Sequence, residues 1–289
     1  MTFSIVARSA DGRFHGVAVA SKFLAVGAAV PAAEAEVGAV ATQSYANLAY
    51  RPQGLSLLRT GVDAAGVVAG LTAADPGRAT RQLGVVGVSG PGATYTGSDC
   101  HAWAGGAAGD GYAIQGNILA GPDVVAAMER AFLETGDEPR LARRLLAALT
   151  AGDRAGGDRR GRQSAALFVV AKGQGYGGTS DVAVDLRIDD HEDPVKELSR
   201  LFDLHTLYFD KPDPATLLDL TGALADEVRS RLADAGYPAH SADAAGLDAA
   251  LTDWAGVENL EERLVPGRID PLVLAQLRSD NQTKNAKGQ

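Results

Sequence analysis

Thr2 stands one residue from the start of the sequence. A threonine whose own backbone nitrogen is a free amine carries a nucleophile and its base on one residue. Removal of Met1, which a small second residue permits, gives Thr2 both groups. An α-amine titrates at roughly 7.7 to 8.0 in model peptides, so its neutral form takes the hydroxyl proton while the oxygen attacks an acyl carbon. In a strand beginning at Thr2, alternation places Thr2, Ser4 and Val6 on one face and Phe3, Ile5 and Ala7 on the other. Met-Thr is also an ordinary start to an edge strand, and the residue types leave both readings open.

Further polar side chains sit on segments that read as strands. In Tyr112 to Leu119, Gln115 and Asn117 share a face opposite Ile114 and Ile118. Carboxamides on a buried face need partners. They either bond neighbouring loops, or contact substrate and supply a donor to an oxyanion. Ser21 and Lys22 close the run that begins at Gly16; Lys22 either tunes a nearby amine through its charge or faces solvent. Gln43 and Ser44 end another strand, as donors to a substrate or as plain strand-end residues. The loop Gly156 to Ser164 holds Asp158, Arg159, Arg160 and Arg162 among glycines. A solvated loop explains the charges, yet an arginine fork binds carboxylates bidentately. Arg160 or Arg162 is the expected anchor for an acidic substrate group, with Asp158 orienting a cation. Only Asp158 is close in sequence, so at least one guanidinium is expected to be open to a ligand. In Val182 to Asp189 the charges face away from the valines, which predicts an Asp185 and Arg187 pair.

Other signals fail on context. Gly173, Gly175 and Gly178 satisfy a dinucleotide-type spacing, but Asp181 to Ile188 reads as a strand where that motif needs a helix. Cys100 and His101 are adjacent and point apart when extended. The acidic run Asp189 to Asp193 lacks zinc-site spacing, and no metal or other cofactor is expected.

The elements that must position these residues follow from periodicity and punctuation. Strands are expected at Thr2 to Arg8 and Gly16 to Ser21, joined through Asp11-Gly12, then at Val37 to Ser44 and Leu83 to Val88. Extended segments follow at Thr94 to Trp103, Tyr112 to Leu119, Ala165 to Val170 and Val182 to Ile188. Helices are expected at Gln53 to Thr60, Asp63 to Ala74, Pro122 to Glu134, Glu138 to Thr150 and Pro194 to Phe209. Strands, helices and strands again argue for an α+β layered fold. After the Pro-rich linker Asp210 to Pro214, helical patterns at Ala215 to Ala235, Leu247 to Trp254 and Pro271 to Ser279 predict a small helical domain with a polar, mobile tail from Asp280. Residues 1–209 and 210–289 are the expected domains.

The 289 residues carry 27 basic and 36 acidic side chains, a net charge of −9 that disfavours nucleic acid. A hydrophobic fraction of 46% is that of a globular chain. One cysteine excludes an internal disulfide, no run is long enough for a membrane span, and Met1 to Arg8 lacks a secretory pattern. A cytoplasmic protein is expected.

Six segments together resemble the bacterial family called domain of unknown function 1028: Thr2 to Ala7, Gly16 to Gly27, Gly38 to Gln43, Gly111 to Asn117, Gly157 to Ser164 and Val184 to His191. The resemblance spans residue 2 to about 209. It implies a four-layer αββα sandwich like that of N-terminal nucleophile hydrolases, with Thr2 as nucleophile. Val228 to Tyr237 and Gly267 to Leu277 resemble peptidoglycan-binding domains, although the same apolar pattern suits any small bundle. The resulting expectation is a metal-independent amidohydrolase that forms a homo-oligomer. It cleaves a small carboxylate-bearing amide or short peptide through Thr2, with Asn117 and Gln115 assisting. The rival expectation is a binding protein that holds an acidic metabolite or peptide without turning it over.

Overall fold

The computed structural model describes residues 2–287, with side chains through Ser279. Met1 lies outside the described residues. β1 (Thr2–Arg8) and β2 (His15–Ser21) form an antiparallel hairpin, in which Gly12 takes a left-handed φ of 72° and Asp11 accepts from the Arg13 amide. A single turn, α1 (Val26–Ala29), leads to β3 (Pro31–Glu34) and β4 (Gly38–Gln43). Then come α2 (Tyr50–Arg59) and α3 (Ala64–Ala74), the latter capped by Asp63 accepting from Gly66 N. β5 (Gln82–Gly87), β6 (Ala93–Thr96), β7 (Gly105–Gly109) and β8 (Tyr112–Asn117) follow. Next in the chain are α4 (Asp123–Glu134), α5 (Leu141–Arg154), β9 (Ser164–Val170), β10 (Val182–Ile188) and α6 (Pro194–Phe209).

The strands form a six-stranded sheet, ordered β10-β9-β2-β1-β8-β7, and a four-stranded sheet, β3-β4-β5-β6. All these pairings are antiparallel, so the fold is mixed α and β with antiparallel sheets. Alternation assigns the faces as the sequence predicts. Phe3, Ile5 and Ala7 join one core with Val124, Met128 and Phe132 of α4, Leu145 and Leu149 of α5 and Leu198 of α6. Val40, Leu83 and Val85 pack against Leu58 of α2 and Val67 and Leu71 of α3. Between the sheets, Val6, Val17 and Val19 meet Ala39, Ala41, Val86 and Ala113.

The extended segment expected from Thr94 to Trp103 is shorter: β6 stops at Thr96 and the next strand begins at Gly105. β7 reads GGAAG, with no β-branched or aromatic side chain to signal a strand. Gly173 to Gly178 turns the β9 and β10 hairpin, as expected from its context.

The chain divides into two compact units, residues 1–202 and 203–289. The division falls within α6 rather than after it, because Phe202 belongs to the core of the first unit while Leu207 and Tyr208 pack with that of the second. In the second unit, β11 (Leu218–Asp219) pairs with β12 (Arg268–Ile269) beside α7 (Gly222–Ala235), α8 (Ala244–Val257) and α9 (Pro271–Lys287). Val228, Leu232, Leu251 and Trp254 form its core. A buried Arg263 and Asp270 pair at 2.6 Å ties α6 in, since Arg263 Nε donates to the Leu207 carbonyl. The helix expected from Ala215 starts at Gly222, Leu218 and Asp219 being drawn into the β11 pairing, and α9 extends past Ser279 to Lys287.

Candidate active site

At one end of the two sheets the interior turns from apolar to polar. The strand faces that carry Val6, Val17, Ala39, Val86 and Ala113 carry Thr2, Ser4, Ser21, Gln43, Gln82, Gln115 and Asn117 at that end. All of these polar residues are buried; Thr2 is 6% exposed. Thr2 opens β1, a central strand, and lies opposite Ser21 of β2 and Asn117 of β8. Its Oγ1 is 3.0 Å from Ser21 Oγ.

The carboxamides form one chain of hydrogen bonds. Gln82 Nε2 donates to the Gly116 carbonyl at 2.7 Å and to Thr96 Oγ1 at 2.9 Å. Gln82 Oε1 accepts from Gln43 Nε2 at 2.8 Å and from Asn117 Nδ2 at 2.9 Å. Gln43 Nε2 also meets the Thr2 carbonyl at 3.2 Å, and its Oε1 accepts the Ser4 hydroxyl at 2.7 Å. Gln115 Nε2 donates to Ser4 Oγ at 2.6 Å and to the Ser4 carbonyl at 3.4 Å. With both hydrogens engaged, Gln115 is a buttress and has none to offer an oxyanion. Its Oε1 has no partner and lies where a side chain on Gly84 would stand, 2.0 Å from the ideal Cβ position. Sequence reasoning missed Gln82. The signal was its register with Gly84 and Val86 on the face that Gln43 shares.

The loops at this end are held together and locally strained. Ile118, Ser44, Tyr45 and Ala25 have φ of 52°, 57°, 50° and 52°, and each lies within four residues of the end of β8, β4 or β2. Non-glycine residues in this region gather at functional sites. Tyr45 Oη is 3.2 Å from His101 Nε2, whereas Cys100 Sγ bonds the Arg81 carbonyl, so the two neighbours do point apart. Arg81 also holds the Tyr45 carbonyl and pairs with Asp75 at 2.9 Å. That guanidinium holds the Asp75 carboxyl well below the usual range, aided by the Gly77 amide and the Tyr50 hydroxyl.

The arginine loop reaches the same end. Ala120 N bonds the Gly157 carbonyl and Arg159 N the Ile118 carbonyl. Asp158 accepts from Lys22 N at 2.7 Å and from Arg160 N at 2.8 Å, and pairs with Arg160 Nη2 at 3.3 Å. Arg160 Nη2 also donates to the Lys22 carbonyl, so this pair brackets the residue after Ser21. The Lys22 side chain is exposed. Arg162 is held bidentately by Asp153, at 2.8 and 3.0 Å. Asp158, the one acid close to these arginines in sequence, is not the one acid at the loop: the last turn of α5 brings Asp153 up to Arg162. Asp185 and Arg187 form the expected fork, at 2.9 Å on both arms. Among the described residues no group of three or more His, Cys, Asp or Glu gathers to hold a metal, and no helix is long and apolar enough to cross a membrane.

Comparison with known proteins matches residues 2–198 to a family of unknown function, DUF1028, and residues 208–277 to a peptidoglycan-binding-like domain. No curated protein matches the chain. Among solved structures, the chain is similar to the crystal structure of protein SPO2555 from Silicibacter pomeroyi, a DUF1028 protein. The identity is 31% and the TM-score 0.64, over 78% of this chain and 92% of that one. With the first unit covered almost throughout and a solved relative at this identity, the chain belongs to the DUF1028 family.

Proposed function

We propose that the first unit is an N-terminal nucleophile amidohydrolase and that its helices and paired sheets constitute the αββα sandwich of that class. The observation that carries the reading is the position of Thr2: first residue of a central strand, its hydroxyl 3.0 Å from Ser21 Oγ, at the polar end of an otherwise apolar interior. With Met1 removed, the α-amine takes the Thr2 hydroxyl proton as Oγ1 bonds to the amide carbon and the carbonyl electron pair moves to oxygen. The ammonium then returns the proton to the amide nitrogen, the C–N bond breaks, and the amine departs. Water, deprotonated by the same amine, cleaves the resulting ester and restores Thr2. Arg160, beside Ser21 and Lys22, is the cation suited to a substrate carboxylate.

The test is amine release from a panel of N-acyl amino acids and short peptides. Turnover should disappear in Thr2→Ala and persist at a reduced rate in Thr2→Ser. A compound that raises the melting temperature and survives incubation intact, with no member of the panel cleaved, points instead to the binding-protein reading.

A further inference from the structure

The orientation of every carboxamide between the sheets follows from fixed points on the backbone. A carbonyl only accepts, so the 2.7 Å contact of Gln82 with the Gly116 carbonyl identifies Nε2 and leaves Oε1 as the accepting edge. Gln43 and Asn117 must then turn their nitrogens toward Gln82 Oε1. Gln43 is anchored independently, because its Nε2 also contacts the carbonyls of Thr2 and Gln115. The consequence falls on Asn117, which stands opposite Thr2 in the β1 and β8 register. One hydrogen of its Nδ2 goes to Gln82 Oε1, which fixes the carboxamide's orientation and leaves Oδ1 on the other edge.

We propose that Gln82 is the positioning residue of the site. By accepting from Asn117 Nδ2 it makes Asn117 present an oxygen at the Thr2 end, so Asn117 receives an N–H of the Thr2 amine rather than donating to an oxyanion. An acceptor there orients the amine's lone pair toward Oγ1 and stabilises the ammonium once the hydroxyl proton has moved. This rests on the nucleophile reading of Thr2.

The experiment measures the rate of Thr2 esterification by an acyl β-lactone as a function of pH, read by intact mass, with melting temperatures recorded for each protein. Lactone opening joins its acyl carbon to Oγ1, and the Thr2 proton passes to the ring oxygen, so no co-reactant is needed. Gln82→Leu should slow esterification about tenfold or more and move the apparent pKa of the rate profile by at least about half a unit. Gln82→Glu keeps an accepting oxygen toward Asn117 but turns its other oxygen onto the Gly116 carbonyl, so it should lower the melting temperature. Asn117→Asp keeps an acceptor beside the amine while setting its second oxygen against Gln82 Oε1 in place of Nδ2. It should raise the apparent pKa by about one unit while esterification continues above it.

A Gln82→Leu protein with a lowered melting temperature but an unmoved pH profile overturns the positioning role. If Gln82→Leu does not fold, Asn117→Asp decides: loss of about a hundredfold at every pH marks Asn117 as an oxyanion donor and overturns the inference. Absence of any Thr2 adduct in the parent is a different failure, since it removes the nucleophile reading and this inference with it.

Discussion

Replacing His15 with leucine should remove most of the stability that the protein loses on mild acidification. His15 opens β2 and lies opposite Arg8 in the register; it is fully buried, and neither ring nitrogen has a partner. Burial, with the Arg8 charge beside it, lowers its pKa from 6.5 to about 4. The unfolded chain therefore binds a proton that the folded chain refuses between these values. Stability is complete above the unfolded pKa, falls as pH drops through it, and falls no further from this group below about 4. A shift of about 2.5 units at 1.36 kcal/mol each is about 3 kcal/mol in all, of which about 2 kcal/mol is lost between pH 7.5 and 5. The depressed carboxyl of Asp75 contributes only below this window, because its stabilisation persists until pH falls under the ordinary carboxylate range. Leucine suits the position, since Val17 and Val19 follow on the same face. Urea unfolding of the parent and His15→Leu proteins at the two pH values measures the difference directly. If acidification costs the parent no more than about 0.5 kcal/mol in excess of what it costs His15→Leu, the buried-histidine reasoning is wrong.

Four further variants follow from the same geometry. Gly84→Ala should drive Gln115 out of the network and lower stability by about 2 kcal/mol, with weakened lactone labelling of Thr2; unchanged denaturation and labelling would mean that the interior has room the 2.0 Å approach denies. Asp75→Ala should cost about 3 kcal/mol in urea unfolding, because it strands Arg81 and Tyr50. It should also raise hydrogen exchange at Tyr45, whose carbonyl Arg81 holds; no change there would separate this cluster from the site loop. Arg162→Lys breaks a half-exposed fork and should change stability by less than about 1 kcal/mol. Arg160→Lys should weaken kcat/KM on a carboxylate-bearing substrate more than Arg162→Lys does; the reverse order would reassign the carboxylate contact.

The parts of the site carried by strong alternation were legible in the sequence. The faces of β1 and the Gln115 and Asn117 pair followed from period two, and the hairpin from Asp11-Gly12. What the sequence hid was long-range. Gln82 precedes an apolar run and looks like its polar edge; its meaning comes from partners on β4 and β8, which only the packing of two sheets brings to it. Arg162 looked open because its partner, Asp153, belongs to the preceding helix. β3 and β7, built mainly of alanine and glycine, carry almost no propensity and exist because their neighbours supply the ladder. The helical pattern from Ala215 becomes helix only at Gly222, because Leu218 and Asp219 pair with a strand far along the chain.

Whether Thr2 is the nucleophile is decided most directly by the mass of the amino-terminal peptide of the purified protein, before and after exposure to an acyl β-lactone. The expected result is a peptide beginning at Thr2, one lactone mass added on Thr2, and no addition in Thr2→Ala. An active protein that keeps Met1, or an adduct that forms equally in Thr2→Ala, would contradict it.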